Sequence, residues 1–272
     1  MKIRKTEIAQ LIYTNLKEQK ALLKIQFLKS KATIGYFFID DLLPEALALE
    51  IYDKFPMTDK AVRKKNLREF KFTAYQMDDY DSLLEEVIYA FQDEKVIQLV
   101  SEICGLEDVY GDENLYAGGL SLMEKDNFLN PHLDNSHDKD RERWRILNLL
   151  YYVTPNWTAK NGGNLEVWPN GLKQAQTTIE SKFNRLVVMT THQNSWHSVS
   201  KVLKDDVRRC VSNYYFSNTP LLESDTFHIT TFRGRSSEKI KDVFLRADNG
   251  LRSNLRKLFK NGIRENPHQY KK

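Results

Sequence analysis

The chain has 272 residues, 41% hydrophobic and 29% charged, room for the core of one large domain or two small ones. Its 41 Lys and Arg against 37 Asp and Glu leave a net charge of +4, too near balance to make polyanion binding the default, so nucleic acid is not expected as a partner. No stretch approaches the ~20 apolar residues of a membrane span, the N-terminus lacks the continuous apolar run of a signal peptide, and Cys104 and Cys210 allow one disulfide at most and no four-thiolate zinc site. A cytoplasmic protein whose metal chemistry would use His and carboxylates is expected.

In chain order, residues 3–28 place Ile8, Leu11, Ile12, Leu16, Leu22 and Leu23 on a helical stripe. TIGYFFID (33–40) reads as a strand, and Pro44 opens a helix over PEALALEIYDKF. Residues 56–80 show no clear period and are expected to be loop. From 82 to 103 the spacing predicts one helix, with Ser82 and Glu85 as a capping box and Gly105 as its stop. Then come short strand-like runs at 115–124, 145–153, 164–168, 173–180, 185–191, 196–202 and 208–217, separated by Gly, Pro, Asn and Asp. Their spacing predicts an antiparallel sandwich or jelly roll. The tail from 233 carries twelve basic residues against four acidic ones and is expected to form one or two basic helices. Three regions follow: 1–110 as helical support, 111–220 as jelly-roll core, and 221–272 as a basic helical extension.

Within the strand-rich half, NPHLDNSHD sets His132 and Asp134 two apart, so in extended chain both side chains leave the same face. His197 in SWHSV is the candidate third ligand. Two imidazoles and a carboxylate on one side of a metal leave the opposite face open, as non-haem Fe(II) chemistry requires. Arg208 follows, with Cys210, Ser212 and Tyr214 on its strand face. An inward arginine needs an anion, and a small dicarboxylate could bind the metal at one end and Arg208 at the other.

The order His-X-Asp, distal His, then Arg on the last strand resembles the Fe(II)/2-oxoglutarate-dependent dioxygenases, in particular the prolyl 4-hydroxylase-like branch with the hypoxia-sensing prolyl hydroxylases. LNLLYYVTPNW, NGGNLEVWPNG, FNRLVVM, SWHSV and RRCVSNYYFS resemble that family's successive strands over about residues 115–217. The resemblance implies a double-stranded β-helix, a distorted jelly roll with N-terminal support helices. It further implies His132, Asp134 and His197 as iron ligands, and Arg208 and Tyr152 on the distal carboxylate of 2-oxoglutarate, with Ser212 placed to assist. Arg209 should point the other way. Fe(II), 2-oxoglutarate, O2 and ascorbate as reductant would serve hydroxylation of an aliphatic carbon in a peptidyl, amino-acid or small-metabolite substrate, releasing succinate and CO2. Asp134 keeps the acid that a halogenase of this superfamily replaces with Gly or Ala, so hydroxylation is expected over halogenation. A non-catalytic jelly-roll binding module is the alternative, and a nucleic-acid binder using the basic tail a third reading. His137 and His192 are expected outside the ligand set, Trp168 and Trp196 in the core, and Gly162–Gly163 in a turn. Residues 135–144 and 56–80 are expected as substrate lids.

Overall fold

The computed structural model describes residues 3–258 and 268–271. Six helices, α1 (Lys5–Glu18), α2 (Lys20–Ser30), α3 (Glu45–Lys54), α4 (Ser82–Phe91), α5 (Glu94–Cys104) and α6 (Lys239–Leu258), flank a curled antiparallel sheet. Its strands are β1 (Tyr36–Ile39), β2 (Val62–Lys65), β3 (Glu69–Ala74), β4 (Val109–Tyr110), β5 (Gly119–Met123), β6 (Phe128–Leu133), β7 (Trp144–Tyr152), β8 (Leu165–Val167), β9 (Thr177–Ile179), β10 (Arg185–Thr190), β11 (His197–Val199), β12 (Arg208–Ser217) and β13 (Thr231–Phe232). The main path runs β1-β10-β7-β12-β5-β3-β6-β11-β8-β9, a distorted jelly roll as the strand spacing predicts.

Three expectations need correction. The stripe over 3–28 is broken at Gln19, which closes α1 and opens α2, so that α1 packs on α4 and α5 while α2 turns onto β1. The helix expected over 82–103 is two helices, each capped by an aspartate: Asp81 accepts from Leu83 N at 3.0 Å and Asp93 from Lys95 N at 3.3 Å. Asp81 therefore caps α4 in place of the Ser82–Glu85 box, and Asp93 supplies the internal start signal. The segment 56–80 contains the β2–β3 hairpin, and β3 pairs with both β5 and β6. Its strand period is obscured because Lys71 and Thr73, polar residues, face the interior cavity.

Alternation in the central strands separates two environments. Leu147, Leu149 and Tyr151 of β7, with Val211 and Tyr215 of β12, join the helices in one core. Tyr151 donates to Asn184 Oδ1 at 2.7 Å and Tyr215 to the Phe91 carbonyl, so both buried phenols are satisfied. The opposite-face residues Asn148 and Leu150 of β7, and Arg208, Cys210, Ser212 and Tyr214 of β12, line the interior of the curl.

The C-terminal part is tied to the sheet. β13 pairs with β6, Arg233 holds Asp242 of α6 through two bonds of 2.6 and 3.0 Å, and Arg235 meets buried Glu166 of β8 at 2.7 Å. Of the basic residues expected in a tail helix, Lys260, Arg264 and Lys272 lie outside the described residues. Both cysteines are buried and free. Among the described residues no helix is long and apolar enough to cross a membrane.

Candidate metal centre and adjoining cavities

His132 on β6 and His197 on β11 are direct cross-strand partners, with ring centroids 4.0 Å apart. Asp134, just past β6, faces both: its carboxylate oxygens lie 3.6 Å from His132 Nε2 and 3.7 Å from His197 Nε2. A register shift between His197 and Val199 absorbs the irregular spacing of β11. All three ligand atoms lie within 4.8 Å of one another.

The donor set fits a divalent transition metal. His132 Nδ1 faces the Asn130 carbonyl and His197 Nδ1 the Ser195 carbonyl, each at 2.9 Å, which assigns the ring protons to Nδ1 and leaves both Nε2 lone pairs aimed at Asp134. The gaps to the carboxylate are too long for hydrogen bonds and suit a cation between. Burial, then His197, holds His132 down at about 3, in its neutral, ligating form. Burial alone would raise Asp134, yet His197, His132, Arg145 and Lys71 keep it below the usual carboxylate range. Asn148 Nδ2 steadies Asp134 from β7 at 3.4 Å.

A cavity of about 80 Å3 begins at the triad and is lined further in by Leu150, Leu165, Cys210, Ser212 and Arg208. Arg208 is 3% exposed. Its guanidinium stacks 4.8 Å over the Tyr152 ring and its Nε reaches Ser181 Oγ at 3.4 Å, but no described carboxylate pairs with it. Tyr152 is fully buried and its hydroxyl has no well-aligned partner; burial, then opposed by Arg208, pushes it up to about 12. Gly163, at φ +67°, lies so close that a Cβ there would sit 2.8 Å from Arg208 Cδ. Arg209 points away and stacks on Tyr52 at 4.1 Å.

His137 and His192 stand apart from the triad. His192 is half-buried in a turn where Asn194 N donates to its Nδ1 at 3.1 Å. His137 is buried, lines an outer cavity, and is held down at about 4 chiefly by burial. Trp168 lies in the core, donating to Ser198 Oγ at 2.9 Å, whereas Trp196 is only half-buried. Gly162 and Gly163 form the expected turn.

Sequence reasoning overlooked several residues. Phe232 of β13 stacks on His132 at 5.3 Å, and buried His268 donates from Nε2 to the Gly118 carbonyl at 2.6 Å while its Nδ1 faces Lys64 Nζ at 2.9 Å. Both come from the tail, where no local pattern marks them. Asn148 had a usable signal, a lone amide in the apolar run RILNLLYYV.

Residues 118–217 match the sequence profile of the 2OG-Fe(II) oxygenase superfamily. No curated protein matches by sequence comparison. Among solved structures, a Pseudomonas putida prolyl-4-hydroxylase superposes with a TM-score of 0.53 at 17% identity, covering 72% of this chain and 98% of that one. A prolyl hydroxylase from Trichoplax adhaerens, in complex with a hypoxia inducible factor oxygen degradation domain peptide, gives 0.51 at 20% identity, covering 74% and 92%. The non-heme alpha ketoglutarate dependent epimerase SnoN from nogalamycin biosynthesis gives 0.53 at 11% identity, covering 72% and 84%. The strand-rich segment 118–217 is thus similar in sequence profile to the 2OG-Fe(II) oxygenase superfamily, and the chain shares its fold with the prolyl 4-hydroxylases.

Proposed function

We propose that the chain is an Fe(II)- and 2-oxoglutarate-dependent dioxygenase that hydroxylates an aliphatic carbon of a peptidyl, amino-acid or small-metabolite substrate. The observation that carries this reading is the pairing, in one cavity, of a His132–Asp134–His197 ligand face with a buried guanidinium, Arg208, that no carboxylate among the described residues neutralises. An unpaired buried charge costs several kcal/mol, on the order of 3–5, and an anionic ligand removes that cost.

On this reading His132, Asp134 and His197 hold the iron by one face. Bound there, Fe(II) with 2-oxoglutarate and O2 supplies the oxidising chemistry, with succinate and CO2 released and ascorbate as the reductant. Arg208 binds the distal carboxylate through charge-assisted bonds, Tyr152 offers its hydroxyl, which has no well-aligned partner, to the same group, and Ser212 assists from the Arg208 face. Leu150, Leu165 and Cys210 exclude water along the cosubstrate. Asn148 keeps Asp134 oriented. Asp134 occupies the position that halide would need, which favours hydroxylation. On this reading residues 111–220 form the catalytic core, 1–110 its support, and 221–272 a basic C-terminal extension.

The test is incubation of purified protein with Fe(II), ascorbate and 2-oxoglutarate. Succinate should form, and a cell extract added to the assay should yield a product 16 Da heavier than its precursor, as one oxygen atom requires. Succinate formation absent from the native protein overturns the reading.

A further inference from the structure

Outside the triad the molecule holds a second cavity of about 320 Å3 that shares His132, Asp134, Lys71 and His268 with the inner one. Its wall carries Lys64, Arg68, Lys71, Arg145, Arg252 and Arg256, against Glu69 and Asp134 as its acids. Local pairing leaves this excess standing. Glu69 is taken by Lys71 at 3.2 Å, and Asp248 is shared between Arg68 at 3.3 Å and Arg252 at 2.9 Å. Asp134 faces the two histidines. Among the described residues, Lys64, Arg145 and Arg256 form no ion pair.

Arg145 is the most telling of these. It is 2% exposed, its guanidinium lies 3.9 Å over the Tyr214 ring, and one terminal nitrogen donates to the Tyr116 carbonyl at 3.0 Å. Its Nε is buried without an acceptor. Across the same cavity, His137 is 1% exposed and spends Nδ1 on the Asp138 carbonyl at 2.6 Å, which leaves a buried, unpartnered Nε2 able to accept a hydrogen bond from a hydroxyl or N–H. Burial, then neighbouring Lys71, lowers Lys64 to about 8, and Glu69 offsets this only in part.

We propose that this outer cavity is an oxyanion pocket, and that the substrate is a small molecule carrying a phosphate or clustered carboxylates together with a hydroxyl or N–H. The anion sits among Lys64, Arg145 and Arg256, and His137 Nε2 accepts from the neighbouring hydrogen. Because the wall includes His132 and Asp134, a molecule anchored there presents an adjacent carbon to the metal face. The word substrate rests on the oxygenase reading above, whereas the anion pocket does not. The cavity volume favours a small molecule over a folded partner.

Isothermal titration of the full chain, freed of metal, with inorganic pyrophosphate, with citrate and with hexaglutamate tests the pocket. Pyrophosphate or citrate should bind, the tighter of the two telling phosphate from carboxylate chemistry. The double variant Lys64→Gln/Arg256→Gln should weaken that binding roughly 10-fold or more, as loss of charge-assisted contacts implies. Arg208→Gln, in the inner cavity, and Arg209→Gln, outside both, should leave it unchanged. The pocket is overturned if neither small anion binds, if the double variant binds as the native chain does, or if Arg208→Gln loses as much. Hexaglutamate binding more tightly than both small anions overturns the small-molecule assignment. Succinate formation, measured separately, keeps the two readings apart: succinate without anion binding removes only the pocket, and anion binding without succinate removes only the oxygenase.

Discussion

The inner and outer cavities meet at His132 and Asp134 but are built from opposite materials. The inner one, about 80 Å3, mixes apolar strand residues with the triad and holds one guanidinium, Arg208; the outer one, about 320 Å3, gathers six cationic side chains. On the proposed reading, one guanidinium at the far end of a narrow cavity would select a small carboxylate by geometry. A broad cationic bowl selects by charge and leaves the shape of the ligand freer. The difference teaches that the inner lining is fixed by strand register, while the outer lining is assembled from β2, β3, β7 and α6, so on the proposed reading the two would bind cosubstrate and substrate by different means.

The variants that break this comparison differ in size of effect. His132→Ala, Asp134→Ala and His197→Ala should each abolish Fe(II)-dependent succinate formation with the circular dichroism unchanged, since a facial site does not hold iron on two ligands. His192→Ala should retain it. Next, Arg208→Ala should raise the apparent KM for 2-oxoglutarate about 10- to 150-fold, the equivalent of ~1.5–3 kcal/mol in charge-assisted hydrogen bonding. Tyr152→Phe should move KM the same way by less, and Arg209→Ala should scarcely change it; a larger defect in Arg209→Ala would put the β12 register off by one.

Gly163→Ala sharpens the same boundary without touching a charge. The positive φ and the 2.8 Å approach to Arg208 Cδ should displace the guanidinium, raising KM for 2-oxoglutarate by less than Arg208→Ala does. An unaltered KM would mean that the guanidinium position does not depend on this close approach. The smallest effect belongs to the support region. Asp93→Ala removes the α5 cap and should cost ~1 kcal/mol by urea unfolding, with KM for 2-oxoglutarate unchanged; a KM shift would show that α5 positions the site.

The inner cavity was legible in the sequence for the same reason that it is narrow. His132 and Asp134 lie on one short segment, Arg208, Cys210 and Ser212 alternate on one strand, and period two carries them all inward. His197, the candidate third ligand from a distant run, carried no local link to the pair; the resemblance supported it and cross-strand pairing with His132 brings it there. The outer cavity was not legible, because Lys64, Arg68 and Lys71 sit in a basic, aperiodic stretch and Arg252 and Arg256 on an amphipathic helix, where charge ordinarily means solvent. Only the pairing of β3 between β5 and β6, and of β13 with β6, turns those residues toward one space. The helix breaks at Gln19 and Gln92–Asp93 were obscured similarly: the apolar stripes run on through both, and what separates the helices is where each must pack.

The central claim, that a three-residue metal face and Arg208 act together on 2-oxoglutarate, is tested most directly by succinate release as a function of 2-oxoglutarate concentration in the native protein, Asp134→Ala and Arg208→Ala. The account predicts Fe(II)-dependent release by the native protein, none by Asp134→Ala at any concentration, and release by Arg208→Ala that returns when 2-oxoglutarate is raised by the factor its KM has moved. Release by Asp134→Ala equal to that of the native protein, or an Arg208→Ala curve that overlies the native one, would contradict it.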